Sequence, residues 1–448
     1  MTEPVYEVAI IGAGPGGIAA AHLLRKKGIT DFVILERADD FGGTWRDNHY
    51  PGLAVDIPSL WYQLSFNPNP EWSRLFAPGP ELYRYFQDTA RQLGLYAHLR
   101  TNSEVVQQKW DDASGIWRLE VRDQPSVTAR FVISSVGGYI NAKAKVDIDG
   151  IDDFEGAVLR PNAWDDDYDP RGKRIAVIGT GSSGVQIAAA LSEQAKSLDV
   201  YQRTPGWVLP KIDFEFSPLA RKVLRLPGFI AAVNMLGRVL MDAFMVVPIV
   251  HLLPRLPDRI LARLLPLYDK WSRLLYRGLL RATVDDPAYR KALVPRMGIL
   301  AKRPVISSAF FKALNNPNTA LITTAIERIT RNGVRTADGV EREADLIVAV
   351  DRSRDLPARN DLERQRLRPR PLLPRTRDAQ LCGHCASAPA QPVGDRRTDR
   401  LRRLRVDGLR RDNGRTRGTD DRRGPPPRCS RRRGQPRRVQ PLERADAS

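Results

Sequence analysis

VAIIGAGPGGIAAAHLLRKKGITDFVILERADDFGGTWRDNHYPGLAVD, residues 8–56, reads as strand, glycine turn, helix and strand in order along the chain. An apolar strand, Val8 to Ile11, runs into a turn with Gly12, Gly14 and Gly17. A helix with apolar residues near helical spacing (Ile18, Leu23, Leu24) follows, and a second strand, Phe32 to Leu35, ends at Glu36. Each part has a mechanical task. Gly12 permits the tight turn, Gly14 lets the backbone approach a pyrophosphate, Gly17 lets helix and strand pack closely, and the helix N-terminus faces the phosphates. Glu36 stands 24 residues beyond Gly12, where a carboxylate accepts hydrogen bonds from both ribose hydroxyls. A glycine triplet alone carries little weight, because glycine turns are common. Strand, turn, helix, strand and terminal acid together carry much more.

The same unit recurs at Arg174: RIAVIGTGSSGVQIAAALSEQAKSLDVYQRT, with Gly179, Gly181 and Gly184 at the earlier spacing. Its second strand, Leu198 to Gln202, ends at Arg203, again 24 residues beyond the first glycine. The residue at the ribose has changed sign. A carboxylate there repels a 2′-phosphate, whereas a guanidinium grips it in two places. The pair of units therefore predicts FAD on the first and NADPH on the second, with Thr180, Gly181, Ser182, Ser183, Gly184, Gln186, Arg203 and Thr204 among the contacts of the second.

At 448 residues the chain is too long for one ordinary core, and two or three domains are expected. The formal charge of +19 suggests nucleic acid or an anionic membrane until its location is considered. Residues 351–448 contain 28 Arg, no Lys and 13 acids, a balance of +15, which leaves +4 for residues 1–350. All three cysteines, Cys382, Cys385 and Cys429, lie in that last segment, so nothing in the first 350 residues implies an oxidising compartment. MTEPVYEVAII has an acid and no basic n-region, and its apolar run is the first strand. A cytoplasmic location is expected.

Residues 41–56 and 61–66 are rich in Gly, Pro, Asn and Asp and in aromatics, which reads as an ordered functional loop rather than an element. A helix is predicted over 80–94, then strands around 104–110, 116–122 and 130–135, a meander that finishes one domain. Residues 212–294 break the α/β rhythm. They are Leu-rich and helical, and Asn234, Arg238, Asp242 and Pro248 interrupt their most apolar part, so an inserted helical subdomain is expected rather than a span, with peripheral membrane contact through 228–253 as the alternative. Strands return at 320–323, 326–330, 333–336 and 345–350. The fold class is α/β: two Rossmann-like dinucleotide-binding domains with an inserted helical subdomain. The expected divisions are 1–150 (FAD), 151–211 and 295–350 (NADP), 212–294 (helical) and 351–448 (tail).

Several motifs outside the glycine turns narrow the reading. They are Gly42-Gly43-Thr44-Trp45, Asn48 with Tyr50-Pro51-Gly52 and Asp56, Tyr62 with Ser65-Phe66, Gln202-Arg203-Thr204-Pro205, and Lys302-Arg303-Pro304. From Val8 to Val350 the chain resembles the flavin- and NADPH-dependent Baeyer-Villiger monooxygenases. Phe154, Gly156, Trp164 and Asp165 match that family's linker fingerprint, with Arg160 at its histidine position. Trp164-Asp165 favours this branch over related flavin monooxygenases that oxidise nitrogen or sulfur. The resemblance implies that NADPH reduces the flavin, O2 adds as a flavin peroxide, and the peroxide attacks a ketone to give an ester or lactone. It places Arg303 at the catalytic position, because the peroxide must stay deprotonated beside a fixed cation. Asp56 orients that arginine, and Lys302 holds the NADP phosphate. The flavin contacts it implies are Gly43, Thr44, Trp45, Asp56, Tyr62 and Val106. Partners are a small ketone or similar organic substrate and O2; no metal and no nucleic acid are expected.

After Val348 the pattern stops. From residue 351 onward there is no Lys, Ile, Phe, Tyr, Trp or Met, the set lost when GC-rich DNA is translated out of frame. A frameshift near codon 350 is the expectation, with a disordered Arg-rich tail and an inactive remnant of the enzyme as the alternative function. Coding DNA with no Thr-Gly-aromatic continuation in either other frame would overturn it. Cys382-Gly383-His384-Cys385 lacks the strand–helix context of a redox motif and reads as chance.

Overall fold

The first glycine unit folds as β1 (Val5–Ile11), α1 (Pro15–Lys26) and β2 (Phe32–Leu35) in a computed structural model that describes residues 4–138, 148–243, 255–301 and 303–350. These belong to a unit spanning Met1–Gln391; a second unit, Pro392–Ser448, lies outside the described residues, as do Lys302 and the whole of 351–448 with its expected disorder and its cysteines. After β2 come α2 (Thr44–Asp47), α3 (Gly79–Gln92), β3 (Leu99–Arg100), β4 (Val105–Asp111), β5 (Ile116–Val121) and β6 (Val127–Ser134). They form one sheet in the order β3-β2-β1-β6-β5-β4, parallel from β3 to β6 and antiparallel through β5 and β4. Ala9, Ile10 and Ile34 are fully buried, as expected of strands covered on both faces.

The second sheet collects β7 (Ala157–Leu159), β8 (Arg174–Ile178), β9 (Ser197–Tyr201), β12 (Thr319–Ile322) and β16 (Leu346–Ala349) in the parallel order β12-β9-β8-β16-β7, with α4 (Ser182–Leu191) and α9 (Ala309–Leu314) beside it. A short parallel pair, β10 (Val208–Leu209) and β11 (Val305–Ile306), brackets the helical insertion of α5 (Pro218–Leu224), α6 (Phe229–Met241), α7 (Asp258–Thr283) and α8 (Pro287–Ala292). Strands β13 (Ile326–Thr330), β14 (Gly333–Thr336) and β15 (Glu341–Glu343) make an antiparallel ribbon. β15 escapes a reading by alternation because its residues, Glu-Arg-Glu, have no apolar face.

The loop expected over residues 41–56 is interrupted. Residues 41–56 are not loop throughout, since Thr44–Asp47 makes a helical turn. Gly42 (φ +127°) and Gly43 (φ +53°) bend the chain sharply, so that the Asp47 amide donates to the Gly43 carbonyl at 2.9 Å.

β16 is tied to β8 by charge as well as by the ladder. Arg174 Nη2 donates to Asp345 Oδ1 at 2.6 Å and its backbone amide to Oδ2 at 2.8 Å. Those bonds hold the Asp345 carboxyl down at about 2, against an ordinary 3.8. A depressed carboxylate stabilises the fold fully above its unfolded value and loses that contribution as pH falls from about 3.8 towards 2. Roughly a third of the side chain is exposed, so screening reduces the contribution to about 1 kcal/mol. Asp345→Asn is expected to lower stability by that amount at neutral pH and to match the parent near pH 2, as urea titrations across pH would show.

Candidate active site

Both glycine turns are built by the same steric device. Gly12 (φ +100°) and Gly179 (φ +112°) turn the chain out of β1 and β8. A Cβ on Gly17 would lie 2.0 Å from the Gly12 carbonyl oxygen, and one on Gly184 would lie 2.0 Å from the Gly179 carbonyl oxygen, so helix and strand approach too closely for any side chain. The middle glycines are different. A Cβ on Gly14 would meet only the Gly43 Cα at 3.6 Å, and one on Gly181 would meet nothing within 4 Å. Protein packing does not demand glycine at either place. A pyrophosphate lying against the amides at the starts of α1 and α4 does, and both turns fit such a group.

Glu36 lies buried at the end of β2, with Oε2 accepting from the Ala13 amide at 2.7 Å and Oε1 from the Ala38 amide at 3.1 Å. Arg46 Nη2, on α2, stands 3.3 Å from Oε1. Burial works against the Arg46 charge, but Asp47 and Glu36 beside it hold its pKa above the ordinary arginine value. Arg46 was not singled out from sequence. The available signal was a cation next to Gly42-Gly43-Thr44-Trp45, a stretch whose aromatic is buried.

The loop that follows α2 joins the two halves. Tyr50 Oη donates to Gln186 Oε1 at 3.0 Å or to Ser183 Oγ at 3.1 Å, and Gln186 Nε2 donates to the Ala54 carbonyl at 2.9 Å. His49 Nδ1 lies 2.9 Å from Asp166, just past the buried Trp164 of the linker. Gly52 (φ +81°) sits against α4, where a Cβ would be 2.8 Å from the Gln186 carbonyl oxygen. Gly52→Val is expected to cost about 3 kcal/mol, read as a lower midpoint in thermal unfolding, since it combines backbone strain with overpacking.

Asp56 ends this loop, and Arg303 reaches it across 247 residues. Arg303 Nη2 donates to Oδ1 at 2.8 Å and to Oδ2 at 2.9 Å. Only one nitrogen is spent on the carboxylate, and Nη1 and Nε make no hydrogen bond among the described residues. The Arg303 side chain is 69% exposed and Asp56 30%. An ion pair so open adds little stability, so its geometry points to a task other than folding. Close by, Trp45 Nε1 donates to Tyr62 Oη at 3.2 Å. Burial and the Asp56 charge push the Tyr62 and Tyr50 hydroxyls above the ordinary tyrosine pKa, against the pull of the Trp45 and Ser183 hydrogen bonds, and both stay protonated near neutrality.

A third group behind this pair escaped the sequence reading. Lys211 follows β10, half-buried, with Nζ 4.8 Å above the Phe76 ring and 4.0 Å from Asp213. Burial lowers its pKa against the pull of Asp213 and, more weakly, Asp56. Sequence could not flag a lone lysine in a Pro-Lys-Ile-Asp run.

Of the other expected residues, Arg203 and Thr204 are exposed just beyond β9, and Thr180 Oγ1 lies 3.5 Å from the buried Gln202. Val106 stands on the edge strand β4 with its side chain exposed, and the contacts that gather the glycine turn do not reach it.

Residues 9–226 match the family described as pyridine nucleotide-disulphide oxidoreductase. A Baeyer-Villiger monooxygenase of Streptomyces coelicolor is 38% identical over 349 residues, covering 77% of this chain and 64% of that protein. An uncharacterised monooxygenase of Mycobacterium tuberculosis is 37% identical over 351 residues, covering 78% of this chain and 67% of that protein. The chain belongs to the Baeyer-Villiger monooxygenase family. It spans less than two thirds of the length of the Streptomyces relative and of a Pseudomonas aeruginosa Baeyer-Villiger monooxygenase, 64% and 62%. Among solved structures, an oxidised steroid monooxygenase bound to NADP superposes with a TM-score of 0.65 at 28% identity, over 78% of this chain and 71% of that one. Cyclohexanone monooxygenase in an open form gives 0.64 at 25%, over 77% and 73%. The family match over residues 9–226 takes in both glycine turns and Asp56.

Proposed function

We propose that this chain binds FAD at the first glycine turn and NADPH at the second, and inserts one oxygen atom from O2 next to a ketone carbonyl, giving an ester or lactone. The observation that carries the reading is Arg303 held on Asp56 beside Tyr62 and Trp45, on the loop that ties the first turn to α4. Bound together, the two cofactors supply the reducing equivalents and the activated oxygen by the route expected from the sequence. The protein's own residues do the rest. Gly12, Gly14 and Gly17 form the first phosphate cradle, and Glu36 presents a carboxylate to the ribose beside it. Ser182, Ser183 and Gly184 open α4 towards the second pyrophosphate, with Arg203 and Thr204 at the strand end where a 2′-phosphate would lie. Arg303, anchored through one nitrogen, keeps guanidinium donors free for an anionic oxygen. The protonated Tyr50 and Tyr62 add no competing negative charge.

The test is to purify the full chain, record its visible absorbance for bound flavin, and supply NADPH with a cyclic ketone or a thioether. Flavin absorbance with lactone supports the proposal. Sulfoxide alone would move the chain to the nitrogen- and sulfur-oxidising branch, and a colourless protein would make it a remnant of the family.

A further inference from the structure

We propose that the helical insertion docks on an anionic lipid surface through the outward faces of α6 and α7. No single helix among the described residues is long and apolar enough to cross a membrane. Yet α7 carries an apolar stripe where a surface helix normally carries its polar side. Ile260, Leu264, Leu267, Trp271, Leu274 and Leu275 are all exposed, Trp271 at 58% and Leu275 at 71%, and at helical periodicity they fall within an arc of about 120°. The inward face is a separate one, with Leu261, Tyr276 and Leu280 buried. Beside the outer stripe, Arg259, Arg263, Lys270, Arg277 and Arg281 are exposed and share an arc of about 40°. α6 repeats the pattern: Ile230 and Gly237 face inward, Gly237 against Trp61, while Met235, Leu236 and Val239 face out.

Charge identifies the occupant. Residues 217–283 hold 11 Lys and Arg against 3 acids, a balance of +8, so the remainder of residues 1–350 carries −4. The cations are concentrated on the one segment whose apolar side chains are exposed. A second protein surface or the rest of a core would meet the stripe without needing the cationic flank. A bilayer with acidic headgroups uses both, the apolar face entering the acyl boundary and the cations staying at headgroup level. Residues 244–254 lie outside the described residues and carry none of this argument.

The Arg-rich residues 351–448 would also be drawn to anionic lipid, so the test must separate the two. Full-length protein is sedimented with phosphatidylcholine vesicles containing no, or about 30 mol%, phosphatidylglycerol, at about 0.15 M salt. The expected result is binding to the anionic vesicles, weakened about tenfold or more in Trp271→Glu/Leu275→Glu, with thermal stability unchanged because both side chains are exposed. Brominated acyl chains are expected to quench a tryptophan signal that Trp271→Phe loses. Equal binding by the double variant would assign retention to the tail and overturn the proposal. Failure to bind would overturn it too, as would a stable dimer by light scattering that ignores vesicles.

Discussion

Arg303→Ala is expected to lower the rate of ketone oxygenation by about 100- to 1000-fold while leaving the thermal midpoint unchanged. The two halves of that expectation come from the same geometry. A guanidinium 69% exposed, on a carboxylate 30% exposed, contributes well under about 1 kcal/mol to folding. Its position beside Tyr62 and Trp45, with two nitrogens uncommitted among the described residues, is what an electrostatic role needs. Arg303→Lys keeps the charge but has a single ammonium, which cannot hold Asp56 and reach outward in the same fixed geometry, and is expected to restore only a small part of the rate. Asp56→Ala frees Arg303 to swing, and the double variant should be no slower than Arg303→Ala alone, because the two act as one unit. Steady-state product formation with flavin content matched between variants measures this. Arg303→Ala turning over at the parent rate would remove the arginine from the mechanism.

Gly17→Ala and Gly14→Ala are expected to fail in opposite ways. At Gly17 the added carbon would sit 2.0 Å from the Gly12 carbonyl oxygen, so α1 must move off β1, at a cost of about 3 kcal/mol or more and a loss of soluble protein. At Gly14 it would meet only the Gly43 Cα at 3.6 Å, an ordinary contact. Gly14→Ala should therefore fold with parental stability when flavin is absent from both proteins, yet lose flavin absorbance on purification, since its methyl occupies the space of a phosphate. The same contrast is expected of Gly184 and Gly181 with NADP, read by nucleotide titration. Loss of folding in Gly14→Ala would show that the space belongs to the protein rather than to a ligand.

Charge and apolar content of 212–294 were countable, but which side of α7 is exposed was not: Leu261 and Leu264 look alike in sequence, and only packing buries the first and exposes the second. The single turn of α2 was missed because four helical residues leave no period to read. Arg46 and Lys211 were missed because a lone cation in sequence is almost always a solvated one, and only the fold shows burial beside Glu36 or over Phe76.

By itself the sequence determined the two dinucleotide units and the family. Each unit is a contiguous run of about 30 residues whose glycine spacing, periodicity and terminal charge are local properties, set by backbone sterics within one β-α-β pass. The tertiary structure alone decided what joins them. Tyr50 on Ser183 and Gln186, and Arg303 on Asp56, are contacts over more than 130 residues, chosen by how two sheets and an insertion pack rather than by any neighbour in the chain.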